Sequence, residues 1–85
     1  MNRNELNKYL AAILTTALET EPASFPESMA YIAMGMDMEK WEYVKRIMLA
    51  AKLVTIDGHC ITLTNDGRII AQKAQQFEQA RTVIA

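Results

Sequence analysis

The chain has 85 residues, 51% of them hydrophobic and 22% charged, which fits one ordinary globular domain and excludes both a disordered, low-hydropathy segment and a second separate core. Nine Lys and Arg stand against ten Asp and Glu, a formal net charge of -1, so no overall positive field advertises a nucleic-acid partner. Cys60 is the one cysteine, which excludes an intrachain disulfide and a cysteine-built zinc site and makes a reducing, cytoplasmic setting the expectation.

Leu6, Tyr9, Leu10, Ile13, Leu14, Ala17 and Leu18 recur at three- and four-residue steps and predict an amphipathic helix from about Arg3 to Thr20. Asn2 with Glu5 forms a capping box at its start, and Pro22 turns Glu21 away from helical angles. Lys8 interrupts this first apolar segment, so no secretion signal is expected, and no run approaches the roughly 18 consecutive apolar residues of a membrane span.

Ser24, Pro26 and Glu27 predict the start of a short second helix ending at Gly35, with Ser24 as cap and Glu27 completing a box; Phe25 is alternatively a one- or two-residue strand. Asp37 caps a third helix with Trp41, Val44, Met48 and Ala51 inward and Ile47 on the flank. The connection between these helices is tight and contains glycine, which holds two helices at a steep angle. Among Met29, Met34, Met36, Met38 and Met48, core packing is expected, with Met36 and Met38 the most exposed.

Leu53–Ile56 and Cys60–Leu63 are β-branched and apolar, and Asp57-Gly58 between them favours a type I′ turn, so a two-stranded hairpin is expected. Thr64 caps a last helix, Asn65 to about Thr82, carrying Ile69, Ile70, Ala74, Phe77, Ala80, Val83 and Ile84 at helical spacing. Ile69 and Ile70 are expected to pack on the body. Phe77, Ala80, Val83 and Ile84 lie further out and predict a homodimer interface, because an apolar patch there is costly to leave wet; the alternative is a helix folded back on its own chain.

The order helix, helix, tight turn, helix, hairpin, helix resembles the winged helix-turn-helix superfamily of small bacterial and archaeal regulators. Met34-Gly35-Met36-Asp37 looks like the turn before a recognition helix, Met48 through Val54 is similar to the family's helix-to-strand passage, and Leu63-Thr64-Asn65-Asp66-Gly67-Arg68 is similar to its step from wing to last helix. The resemblance covers nearly the whole chain and implies an α+β fold: a three-helix core and a two-stranded wing over residues 1–64, then a long C-terminal helix over 65–85. Two positions depart from it: Lys52 stands where the family often has glycine, and the wing tip Asp57-Gly58-His59 carries no Lys or Arg.

The function this resemblance implies is a DNA-binding, transcription-regulator-like protein acting as a dimer on double-stranded DNA. The third helix turns Glu39, Glu42, Tyr43 and Arg46 outward, flanked by Lys40 and Lys45, and Lys40, Tyr43, Lys45 and Arg46 are the candidates to touch phosphates or base edges. Two acids against three bases leave a surplus of one charge, so the alternative is a winged-helix module that holds a protein partner and no nucleic acid; a solvated face with a Glu42–Arg46 pair is the plain structural reading. His59 and Cys60 are adjacent on a strand, point to opposite faces and form no nucleophile–base pair; His59 reads as a solvated turn residue and Cys60 as a buried small hydrophobe. No catalytic set, cofactor or metal site is expected.

Overall fold

The computed structural model describes the backbone of residues 1–84 and the side chains of residues 1–77. It is a mainly helical α+β fold with four helices and a three-stranded antiparallel sheet: α1 (Arg3–Thr20), β1 (Phe25–Pro26), α2 (Glu27–Ala33), α3 (Met38–Ala50), β2 (Val54–Asp57), β3 (Cys60–Leu63) and α4 (Asn65–Ile84). The order across the sheet is β1-β3-β2.

Helix α1 has the predicted bounds, and Asn2 Oδ1 accepts the Glu5 N–H at 2.8 Å. Its stripe buries Ile13, Leu14 and Ala17, with Leu6, Tyr9, Leu10 and Leu18 packed partly buried against the core. Chain entry into α2 follows the alternative of a short strand at Phe25 and not the Ser24 cap. Ser24 makes no cap; Pro26 occupies the N-cap position, and no side chain caps the helix. Phe25 and Pro26 instead pair with Ile61 and Cys60, so the hairpin gains a third, two-residue strand. Proline, with no N–H and an extended backbone, is tolerated in such an edge strand.

The turn from α2 to α3 runs through Gly35 (φ 75°) and Met36 (φ 57°), both left-handed. Asp37 then caps α3 by accepting the Lys40 N–H at 3.1 Å. Trp41, Val44 and Met48 are buried, whereas Ala51 is exposed, because α3 ends at Ala50 and the chain leaves its axis there. Lys52 itself takes the left-handed φ of 59°. The Leu53 N–H reaches back five residues to the Met48 carbonyl at 2.9 Å, which is the closing bond of a Schellman turn.

Strands β2 and β3 pair from Val54 with Leu63 to Asp57 with Cys60. The two-residue loop is therefore Gly58-His59, at φ 55° and 62°, one residue later than the Asp57-Gly58 turn expected; both positions have the positive φ of a type I′ turn. Cys60 is half-buried rather than buried. At the next corner Thr64 Oγ1 accepts the Gly67 N–H at 3.0 Å and donates to the Lys52 and Leu53 carbonyls at 2.6 and 3.0 Å. Gly67 serves close approach rather than a turn, since a Cβ there would lie 1.9 Å from the Leu53 carbonyl oxygen.

Helix α4 packs chiefly on α1, turning buried Gly67 and Ala71 inward. The missing side chain of Gly67 lets the start of α4 approach the Leu53 backbone at the α3–β2 corner. This packing rotates Ile69 and Ile70 outward, to 50% and 43% exposure, against the expectation that they pack on the body. Arg68 Nη1 donates to both carboxylate oxygens of Glu21 at 2.7 Å and fastens α4 to the end of α1. The core is one cluster built around Trp41, Ile13, Leu14, Met48 and Val44, with Met34 the other buried methionine. Met36 and Met38 are exposed as expected, whereas Met29, expected in the core, is exposed too.

Candidate interaction groove

An open groove of about 580 Å³ lies between the start of α2, one flank of α3 and the β2–β3 turn. Pro26, Tyr31, Met38 and Cys60 give it apolar walls, and Glu27, Glu42, Lys45 and His59 give it charge and polarity. Three separate elements shape it because β1 carries the first residue of α2 to the turn, where the Glu27 N–H donates to the His59 carbonyl at 2.7 Å.

Glu27 sits at the centre of this junction. Its Oε1 accepts from the Trp41 Nε1–H at 3.1 Å and from Lys45 Nζ at 2.6 Å, and its Oε2 lies 3.4 Å from His59 Nδ1. The Glu27 side chain is 14% exposed and that of Lys45 26%, while the His59 ring is 93% exposed. The Lys45 ammonium is the chief cause holding the Glu27 carboxyl below its ordinary pKa, against the opposing effect of burial and with help from Trp41 and His59. Glu27 in turn raises the Lys45 pKa. Trp41 needs this acceptor: an inward indole N–H without a partner costs about 1–3 kcal/mol.

The four residues nominated for nucleic acid do not form one surface. Lys45 lines the groove and is held by Glu27. Lys40 lies on the opposite flank of α3, its Nζ 5.9 Å from the Tyr9 ring centroid, a cation–π distance. Together with Tyr43 it lines a second recess of about 620 Å³, whose remaining charged side chains are Glu5, Asp37 and Glu39. Arg46 is exposed between the two and lines neither. Among the described residues the ion pairs are Lys45–Glu27 and Arg68–Glu21, with the His59 ring 3.4 Å from Glu27; Glu42 and Arg46 form none.

Glu27 escaped the reading of the sequence because its neighbours in the chain gave it a capping role. The usable signal was Trp41: an indole on the inward stripe requires an acceptor, and Glu27 is an acid at the mouth of the facing helix.

Of the proposed dimer residues, Phe77 is 67% exposed on α4, while Ala80, Val83 and Ile84 lie outside the residues whose side chains are described. Ile69 and Ile70 join Ala51, Leu53 and Asp66 around a shallow cleft of about 400 Å³. Among the described residues no group of three or more His, Cys, Asp or Glu is arranged to hold a metal ion, and no helix is long and apolar enough to cross a membrane. No family model, curated protein or solved structure matches the chain.

Proposed function

We propose that this chain is a winged-helix-type interaction module that docks a protein partner on the face formed by α2, its turn into α3, and the groove. The carrying observation is the 2.6 Å contact between Lys45 and Glu27. Lys45 is held by Glu27 and Lys40 shares its recess with Glu5, Asp37 and Glu39, so of the three α3 cations Arg46 alone stands outside an acid-lined recess, and so few available cations release few counterions from duplex DNA. Helix α2, its turn and the first residue of α3 expose Met29, Ile32, Met36 and Met38, each more than half exposed, with Met38 lining the groove itself, and methionine-rich surfaces adapt to protein partners. A photo-crosslinking residue at position 32 tests this in the native host. A discrete crosslinked product that disappears with Met36→Asp is expected, and absence of any product under conditions where the chain is folded overturns the reading.

A second reading, a dimeric DNA-binding transcription regulator, is favoured by one observation: Tyr43 and Arg46 are exposed opposite the buried Trp41, Val44 and Met48 stripe of a capped helix. Two copies joined through Phe77 and the residues beyond it double the phosphate contacts. Anisotropy with duplex DNA at low salt separates the readings. Saturable binding that is abolished by Arg46→Glu supports the second and removes the first.

A further inference from the structure

Trp41 Nε1, Lys45 Nζ and His59 Nδ1 converge on one carboxylate from a helix and a hairpin turn, at 3.1, 2.6 and 3.4 Å. An indole N–H and a full positive charge converging on one point, with an imidazole ring beside them, are what an oxyanion such as a phosphodiester requires. Here the chain supplies the anion itself. The geometry points to Glu27 as an internal substitute for a backbone phosphate, the residue that closes this groove to nucleic acid. The inference rests on the reading of the groove as a protein-facing surface and adds what makes it selective.

A tethered carboxylate meets its donors at the millimolar or higher effective concentration of an intramolecular ligand. A DNA phosphate entering the groove must displace it, and must then share a small space with an acid whose side chain is only 14% exposed. Both steps oppose phosphate. Neither opposes an uncharged or cationic side chain of a protein partner, for which the Glu27 and Glu42 carboxylates are favourable neighbours. Glu42, which acts on Lys45 through its field without bonding it, provides the internal control. It lines the same groove and carries the same charge, yet it takes part in no ion pair among the described residues.

The test is fluorescence anisotropy of a labelled mixed-sequence duplex against the full chain, at several salt concentrations between about 50 and 200 mM. Glu27→Gln keeps an acceptor for Trp41 and frees Lys45; it is expected to raise the association constant roughly tenfold at the low-salt end and to steepen the log–log salt slope by about 0.9. Glu42→Gln, with the same change in net charge, is expected to stay within about twofold of the parent. Adding Lys45→Met to Glu27→Gln is expected to erase the gain. Glu27→Ser serves as the second variant, and circular dichroism checks the fold of each.

The proposal is overturned if folded Glu27→Gln and Glu27→Ser bind no more tightly than the parent, if Glu42→Gln gains as much, or if the gain survives Lys45→Met. Loss of fold in both Glu27 variants overturns it as well, since the carboxylate is then a structural support. Tight duplex binding by the parent chain removes the protein-docking reading instead, and the ratio of variant to parent still decides the role of Glu27.

Discussion

Replacing Gly67 by alanine sets helix propensity against steric exclusion, and the two have opposite signs. Gly67 lies in the first turn of α4, where alanine is intrinsically favoured by about 1 kcal/mol. A Cβ at this site would stand 1.9 Å from the Leu53 carbonyl oxygen, 2.8 Å from its carbonyl carbon and 3.3 Å from its Cα. These are backbone atoms and have no rotamer in which to escape. Reaching 3.0 Å from the oxygen requires the two segments to part by about 1.1 Å. The same corner holds the Thr64 N–H to Leu53 carbonyl bond at 3.0 Å and the Thr64 Oγ1 to Lys52 carbonyl bond at 2.6 Å, and that movement breaks both. Overpacking of about 3 kcal/mol and two hydrogen bonds of about 1 kcal/mol each, less the propensity gain, leave a loss of about 4 kcal/mol. Urea titration followed by circular dichroism reads this directly, and the melting temperature falls by roughly 15 °C or more. A Gly67→Ala variant as stable as the parent would refute the close contact between α4 and the α3–β2 corner.

Lys52→Gly works in the other direction: the residue holds φ at 59°, so removing its side chain raises stability by about 1 kcal/mol and the melting temperature by about 4–8 °C. Thr64→Ala strips the Gly67 cap together with both carbonyl contacts and costs about 1–2 kcal/mol in the same titration, whereas Thr64→Ser retains most of it. The Glu27 carboxyl has a lowered pKa in the folded chain, so its stabilising effect is fully present above the ordinary 4.5 and is lost as pH falls through the folded value. Lys45, raised above 10.5, contributes below that value and loses its effect as pH rises past the raised one. A stability–pH profile of Lys45→Met is accordingly flatter than the parent's at both the acid and the alkaline limb, and an unchanged acid limb counts against the Glu27 assignment.

Local chemistry was legible in the sequence; long-range pairing was not. The bounds of α1, the Asn2 and Asp37 caps, the hairpin and the Thr64 cap follow from residues within four positions of one another, where backbone and side chain decide the outcome together. A short strand at Phe25 is one of two readings of the sequence, but its pairing with Ile61 spans the chain from one element to another and leaves no period from which to read the partner. Ser24 was given the capping role because its spacing to Glu27 satisfies the box, but β1 pairing outcompetes a local cap and sends the Glu27 side chain toward Trp41 and Lys45. Helical spacing on α4 identified apolar positions correctly without fixing rotation. Gly67 against the Leu53 backbone and Ala71 in the core fix that angle, which leaves Ile69 and Ile70 in water. The groove depended on all of these at once, so its residues appeared in the sequence as a cap, a core indole, a surface lysine and a turn histidine.

The brief ribbon at Phe25–Pro26 also governs how the molecule comes apart. Phe25 is buried against residues more than thirty positions away, and the next N–H is tied to the hairpin tip through the His59 carbonyl. Opening the start of α2 therefore means peeling it from β3, which itself lies between two other strands. Amide protons at the head of the second helix and in the central strand should exchange as one cooperative unit with a shared opening free energy. The N-terminal third of the chain, expressed alone, then lacks the scaffold its second helix is sewn to, while α2 in the full chain can tilt only when the hairpin tilts with it.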